Sequence, residues 1–336
     1  MVYSPSHFIF FITLILGSFL TISSSSWLAA WVGLELNLLS FIPLICSTSN
    51  PYFSEAALKY FLIQAVSSTI IVMSSSLQLF NTTIYSFMLI LSLIMKLGGA
   101  PFHFWLPQVM EGMSWSQAFI LLSIQKLAPI YMISYLLIED NLTFIILLSS
   151  SLSALLGALG GFNSMKLRKI MAYSSINHLS WMLLGVLINE VVFLMYYIFY
   201  ILISSSIVFL FSFARAYHLN DLLNFSSMNT LHSFLIPLSL FSLGGLPPFT
   251  GFLPKWMMIQ IMVQTSMYMI LLVLLFSTLI TLFFYIRISI PLIIMTTPSL
   301  SINIKFFKYN YKKFMVYFIF FFNVFMFIMP VPFLFF

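Results

Sequence analysis

Between residues 7 and 334 the chain is a succession of apolar runs about twenty residues long, parted by short polar or Gly/Pro-containing stretches. A helix of about 20 residues crosses the hydrocarbon of a bilayer, where backbone amides and carbonyls must be bonded inside the segment itself. No other feature restricts the fold as much. Composition agrees: 6% of residues are charged, 62% are hydrophobic, and the mean hydropathy is +1.10. An ordinary soluble chain is about 25% charged, so this one has too few charges to solvate a globular surface. A cytoplasmic enzyme, a nucleic-acid binder and a secreted domain are excluded. The expected fold is all-α, a polytopic transmembrane helical bundle.

Eleven spans are expected. The first five lie at about 7–22, 27–46, 57–80, 84–110 and 115–138, and the others at about 142–162, 171–189, 191–214, 231–262, 268–292 and 314–334. Most connections are short, so neighbouring spans run antiparallel. Loops after even-numbered spans hold Lys166, Arg168, Lys169, Arg215, Arg287, Lys305, Lys308, Lys312 and Lys313, whereas loops after odd-numbered spans hold Glu139, Asp140 and Glu190 and no Lys or Arg. The positive-inside rule then puts the even loops and the N-terminus on the side of synthesis, and the C-terminus opposite. The net charge of +6 is this loop bias. The N-terminus lacks the features of a secretory signal or a transit peptide, so the first run is expected to remain as a span.

A single cysteine, Cys46, rules out an internal disulfide, a four-thiolate iron–sulfur site and a C-x-x-C haem attachment. It is expected to be a small buried apolar residue. Neither a glycine-rich dinucleotide fingerprint nor a P-loop occurs. Any redox chemistry tied to this chain therefore belongs on another polypeptide.

Two spans differ from the rest. The fourth contains Lys96-Leu97-Gly98-Gly99-Ala100-Pro101 and the ninth Leu243-Gly244-Gly245-Leu246-Pro247-Pro248, followed by Lys255. Proline lacks an amide hydrogen and clashes with the carbonyl four residues back, so both helices should break at Gly98, Gly99 and Pro101 and at Gly244, Gly245, Pro247 and Pro248. The freed backbone groups must face protein or a watery cavity. The broken spans are five apart, and five is odd. Spans 1–5 (1–138) and 6–10 (139–292) are thus expected to be inverted five-helix repeats, with 293–336 a basic loop and a last span. Paired interrupted helices in inverted halves point to an ion or substrate path near the midplane.

Glu35 and Lys126 lie at the centres of their runs, and Lys96 and Lys255 beside the breaks. Each charge at such depth costs about 2.5–3.5 kcal/mol on insertion scales. One carboxylate against three lysines leaves two amines uncompensated, which packing alone does not explain. A buried amine that can shed its proton escapes that cost, and a carboxylate nearby restores the charged form. A row of such groups joined by water makes a lateral proton relay. Weaker candidates are Lys59, spaced i,i+4 from Glu55 and compatible with a local ion pair, and the intramembrane histidines His103 and His178. His7, His218 and His232 lie near span ends. The histidines are scattered and no metal site is expected.

The stretch from Lys96 to Pro107, with Glu111-Gly112 behind it, resembles the signature of the antiporter-like subunits of respiratory complex I. The segments around Glu35, 55–61, 168–178 and 244–256 resemble the same family. The resemblance covers about residues 1–290, while the Phe-rich tail matches only in character. It implies a proton-translocating membrane-arm subunit coupled to NADH:ubiquinone electron transfer on other subunits. NADH, FMN, iron–sulfur clusters and ubiquinone are then expected on those subunits, and no cofactor in this chain. The implied partners are other membrane-arm subunits and phospholipid. The implied location is the mitochondrial inner membrane, with the N-terminus on the matrix side and the C-terminus on the intermembrane-space side. By position, Glu35 resembles the family's charge-switching glutamate, Lys96 its broken-helix lysine, Lys126 its central relay lysine and Lys255 the terminal residue on the second broken helix. Gln108 stands where relatives often carry an acid. Relatives with more spans exist, and the missing ones are expected at the N-terminus. Two other readings share these features: a free-standing cation/proton antiporter, and a structural arm subunit with no proton path of its own.

Overall fold

The computed structural model describes residues 5–46, 50–78, 82–137, 140–226 and 230–294, together with Asn323. The described residues form fourteen helices and no extended strand. They are α1 (Pro5–Ser23), α2 (Trp27–Ile45), α3 (Pro51–Leu77), α4 (Thr82–Leu97), α5 (Trp105–Gly112), α6 (Trp115–Leu122) and α7 (Ile124–Leu136), then α8 (Asp140–Phe162), α9 (Leu167–Ile188), α10 (Glu190–Ala214), α11 (Leu219–Ser226), α12 (Thr230–Gly244), α13 (Phe252–Gln264) and α14 (Tyr268–Ile294). Spans 1–10 are all present. The fourth is divided into α4 and α5 and the ninth into α12 and α13, as the Gly/Pro chemistry predicts. The fifth is divided as well, into α6 and α7 at Ser123, six residues before Pro129, which lies inside α7. The eleventh span lies outside the described residues except for Asn323, as do Glu139, Lys305, Lys308, Lys312 and Lys313.

Local chemistry accounts for the helix ends. The Ser26 hydroxyl accepts the Ala29 amide at 3.3 Å and starts α2. Ser114 and Gln117 form a capping box that starts α6, and Gln117 Nε2 also donates to Leu44 O at 2.6 Å, fastening the end of α2. Serines inside the apolar helices satisfy themselves: Ser67, Ser149 and Ser277 each donate to the carbonyl three residues back. Close approach of α1 and α2 rests on small residues, since a Cβ on Gly33 would lie 2.8 Å from the Gly17 carbonyl. Cys46 is exposed and does not join the core. It caps α2, its amide bonded to Ile42 O, where the helix runs out into a loop.

The pairings among spans 1–5 recur among spans 6–10. In the first set α1 packs on α2 and α7, α2 on α3, α3 on α4 and α5, and α4 on α7; in the second α8 packs on α9 and α14, α9 on α10, α10 on α12 and α13, and α12 on α14. The loops after even-numbered spans meet at one end of the bundle. There Glu111 pairs with Lys166 and, at 2.7 Å, with Lys169. Arg168 donates to Met113 O and lies over the Tyr217 ring, Leu167 N donates to Tyr217 O, and Trp115 Nε1 donates to Ala216 O. Arg287, near the end of the tenth span, joins them through Phe162 O and Ser164 O. At the other end, Ser23–Ser26 of the first loop share a groove with Tyr85 and Tyr135. The basic end and the opposite end alternate as the short loops require.

At the basic end the Asp221 carboxylate accepts the amides of His218 (2.8 Å) and Tyr217 (3.0 Å), capping α11. Those two amides, His218 first, hold its carboxyl below the usual carboxylate value of about 4. Because the folded-state value is depressed, the stabilisation is present above the unfolded value and is lost as pH falls through the folded one. Asp221→Ala should lower stability by about 1 kcal/mol near neutral pH. Thermal melts should show the deficit shrinking in acid, and a pH-independent deficit would exclude the carboxylate cap.

A chain of buried lysines at two broken helices

The two breaks are built alike. Gly98 follows α4 with φ of +71°, its amide bonded to Met95 O at 3.1 Å and that of Gly99 to Ile94 O at 3.0 Å. Gly245 follows α12 with φ of +78°, its amide bonded to Ser242 O at 3.0 Å and that of Leu246 to Phe241 O at 3.3 Å. This is the Schellman arrangement, in which a left-handed glycine lets the chain turn back on the last helical carbonyls. Side chains satisfy more of the exposed carbonyls. Trp105 Nε1 donates to Met95 O at 3.1 Å, Gln64 Nε2 to Lys96 O at 3.2 Å, and Lys255 Nζ to Gly244 O at 2.6 Å. The connectors 98–104 and 245–251, with Pro101, Pro247 and Pro248, then lead into α5 and α13.

All three central lysines are buried: Lys96 is 6%, Lys126 2% and Lys255 7% exposed. Lys126 Nζ donates to Ser175 O at 2.9 Å and lies 5.3 Å from the centre of the Tyr200 ring. Among the described residues, no ion pair joins any of the three to a carboxylate. Glu35, half-buried on α2, interacts electrostatically with Lys96 and Tyr60, and its Oε2 is buried without a hydrogen-bond partner. Lys96 and Lys126 line one internal cavity together with Asn37, Tyr60, Gln64, Gln125 and Pro129. Its space for water centres is about 20 Å³, enough for about one ordered water. Gln125 Nε2 is buried there without a partner, and the Tyr60 hydroxyl reaches Gln125 Oε1 at 3.4 Å, while Asn37 turns its Oδ1 toward Gly17 of α1.

Beyond Lys126 the surroundings change. His178 interacts electrostatically with both Lys126 and Lys255. Its Nδ1 lies 2.9 Å from the Tyr196 hydroxyl and its ring 5.3 Å from that of Tyr200. The space beside it, about 10 Å³ for water centres and reaching Gly251 and Pro254, is at the lower limit for a single water. His178 thus joins the lysines. His103 does not: it sits in the first connector, Nδ1 3.3 Å from Pro101 O, against the Phe104 ring. Lys59 pairs with Glu55 at 2.6 Å at the basic end, beside a rim pocket lined also by Gln108 and Glu111. Among the described residues, no group of His, Cys, Asp and Glu is placed to hold a metal ion.

Tyr60, Gln64, Gln125, Ser175 and Tyr200 are absent from the sequence-derived set. The two glutamines were open to the reasoning applied to the lysines, since each is a polar residue in the middle of an apolar run. Tyr200 and the Ser175 carbonyl carry no such signal, because only packing brings α9 and α10 against Lys126.

The fold and this arrangement define a class: a polytopic helical membrane protein in which two interrupted helices flank a buried row of ionisable side chains. The chain belongs to the NADH:quinone oxidoreductase/Mrp antiporter transmembrane family, which it matches over residues 24–281. It is 45% identical over 309 residues to the NADH-ubiquinone oxidoreductase chain 2 of Anopheles gambiae, covering 89% of each chain. Its fold is like that of a chain in respiratory complex I from Thermus thermophilus with bound aureothin (TM-score 0.78, 23% identity, 87% of this chain and 72% of that one). It is also like that of a chain in the Mrp complex of a Dietzia species (TM-score 0.73, 18% identity, 83% of this chain and 59% of that one).

A Cβ on Gly245 would lie 2.7 Å from Lys255 Cδ, in a backbone conformation that side chains rarely adopt. Gly245→Ala should therefore cost about 1–2 kcal/mol of stability and push the Lys255 stem away from Gly244 O. A thermal midpoint equal to that of the unaltered protein would show that the break tolerates a side chain.

Proposed function

We propose that the chain is a proton-translocating membrane-arm subunit of an NADH:ubiquinone oxidoreductase of the mitochondrial inner membrane. Protons pass through it by a relay of Lys96, Lys126 and Lys255 under the electrostatic control of Glu35. The observation that carries this reading is the cavity shared by Lys96 and Lys126, a space lined in part by polar side chains between two buried amines that, among the described residues, have no carboxylate in contact. A permanently charged, unpaired amine in such surroundings is costly. The arrangement suits groups whose charge comes and goes. Glu35 stabilises the ammonium form of Lys96, and any movement that weakens their interaction releases a proton toward the cavity and Lys126. Onward transfer to Lys255 runs through the tighter space around His178, Tyr196 and Tyr200.

The two sets of five spans act as inverted repeats, 1–138 and 139–292, each contributing one broken helix to the path. The basic end faces the matrix, which puts the N-terminus there and the C-terminus toward the intermembrane space. NADH, FMN, iron–sulfur clusters and ubiquinone are held by other subunits, and this chain contacts neighbouring membrane-arm subunits and phospholipid. A free-standing cation antiporter fits less well, because Glu35 is the one acid of the described residues that lies deep in a span.

Two substitutions test the relay in the assembled complex in sealed vesicles. Lys126→Met should leave assembly intact while lowering coupled turnover and proton delivery at least about tenfold. Full quinone reduction with undiminished pumping would make the chain a structural subunit. Glu35→Gln should assemble normally and slow coupled turnover several-fold, since Lys96 loses its electrostatic partner. If rate and proton-to-electron ratio both stay unchanged, Glu35 serves packing alone.

A further inference from the structure

The apolar run 314–334 is rich in Phe and Met and contains one polar residue, Asn323. Burying an amide among hydrocarbon without partners costs several kcal/mol, so its position needs an explanation. Asn323 is 2% exposed, and its hydrogen bonds reach three separate elements. The Ser242 hydroxyl, in the last turn of α12, lies 2.7 Å from Asn323 Oδ1, an alternative to the Ser239 carbonyl of its own helix at 2.7 Å. The Thr250 amide, at the end of the second connector, donates to the Asn323 carbonyl at 3.3 Å. Asn323 Nδ2 donates to Ser206 Oγ of α10 at 3.4 Å.

These contacts fall on both sides of the second helix break. Ser242 belongs to the helix that ends there and Thr250 to the chain about to start α13. Between them the backbone is already crowded: a Cβ on Gly251 would lie 1.7 Å from Ser242 O. Lys255 stands one turn into α13 and reaches back across the same junction to Gly244 O. A small shift of the start of α13 relative to the end of α12 therefore makes or loses the lysine's bond.

We propose that Asn323 is a positioning residue for the second break, tying the end of α12 to the start of α13 and so fixing where the Lys255 ammonium sits. This rests on the relay reading, in which Lys255 exchanges protons. Asn323 acts through Ser242 and Thr250.

The test compares Asn323→Leu, Ser242→Ala, the double variant and Lys255→Met in the assembled complex in sealed vesicles, reading the pH profile of coupled turnover and the proton-to-electron ratio. Asn323→Leu should lower coupled turnover about tenfold and displace the pH optimum, as expected when a reacting group moves by a fraction of its bond length. Ser242→Ala should displace the optimum in the same direction, and the double variant should be no worse than Asn323→Leu, because both changes break one link. Asn323→Gln, which keeps the amide, should recover part of the loss. An unaltered profile for Asn323→Leu beside an altered one for Lys255→Met would overturn the positioning role while leaving the relay intact, as would independent addition of the two single effects. An unaltered profile for Lys255→Met itself would instead remove the relay. If Asn323→Leu does not assemble, Ser242→Ala decides: a normal pH profile overturns the proposal and a displaced one supports it.

Discussion

A helix interrupted inside hydrocarbon exposes carbonyls and amides that water cannot reach, and every one of them needs a partner within the protein. This requirement organises the molecule around its two breaks. Gly98 and Gly245 turn the chain so that the last amides fold back onto helical carbonyls, and Trp105, Gln64 and Lys255 satisfy others. At the first break the partners are neutral. At the second, the partner of Gly244 O is itself the buried ammonium, so the need of the backbone and the need of the charge are met in one 2.6 Å bond. The lysine is therefore part of the structure of the break.

The row of ionisable groups is uneven along its length. Lys96 and Lys126 line a common space with Gln64 and with Gln125, whose Nε2 is unpartnered. From Lys126 onward the contacts are aromatic, with Tyr200 under the ammonium and Tyr196 holding His178. A water fits the first space more readily than the second. The space around Lys96 and Lys126 is open between them, whereas the tyrosines and His178 fill the space toward Lys255. The break at Ser123 lies one turn before Lys126, and the Tyr197 hydroxyl bonds the Ser123 carbonyl at 3.1 Å. The helix carrying the central lysine is thus fastened to the same tyrosine-rich α10 that separates it from Lys255.

Much of this was legible because hydrocarbon makes polarity conspicuous. Ten spans, both Gly/Pro breaks and the four deep charges follow from where polar residues stand in apolar runs. Pro129 marks the fifth span for a local opening, but its place at Ser123 was not legible, since serine is common inside these helices and normally bonds its own backbone. Nor was the exposure of Cys46, because an apolar run does not mark which of its last residues has left the helix. Tyr200 is one of sixteen tyrosines, and its role depends on how α10 lies against α7, which periodicity cannot fix. Gln64, Gln125 and Asn323 form an intermediate case. They are neutral, so burying them costs less than burying a lysine, but the same logic identifies them once the polar atoms of each run are followed as closely as the charges.

The recurrence of packing between the two sets of spans also explains why the halves are not equivalent chemically. In the first set α2, the second span, carries the carboxylate Glu35. Its counterpart by packing order in the second set is α9, which carries His178 and the Ser175 carbonyl in place of an acid. A carboxylate stabilises an ammonium beside it, whereas an imidazole offers a donor at most one lone pair. The counterpart of α7 is α14, whose buried polar residues are Ser277, Thr278, Thr281 and Ser289, with no amine among them. Among the described residues, two sets of spans with the same packing order thus carry a deep acid in one set only and a central amine in one set only. Among the described residues the Lys96 end has an acid near its lysine, whereas Lys255 meets a backbone carbonyl, that of Gly244, in its place.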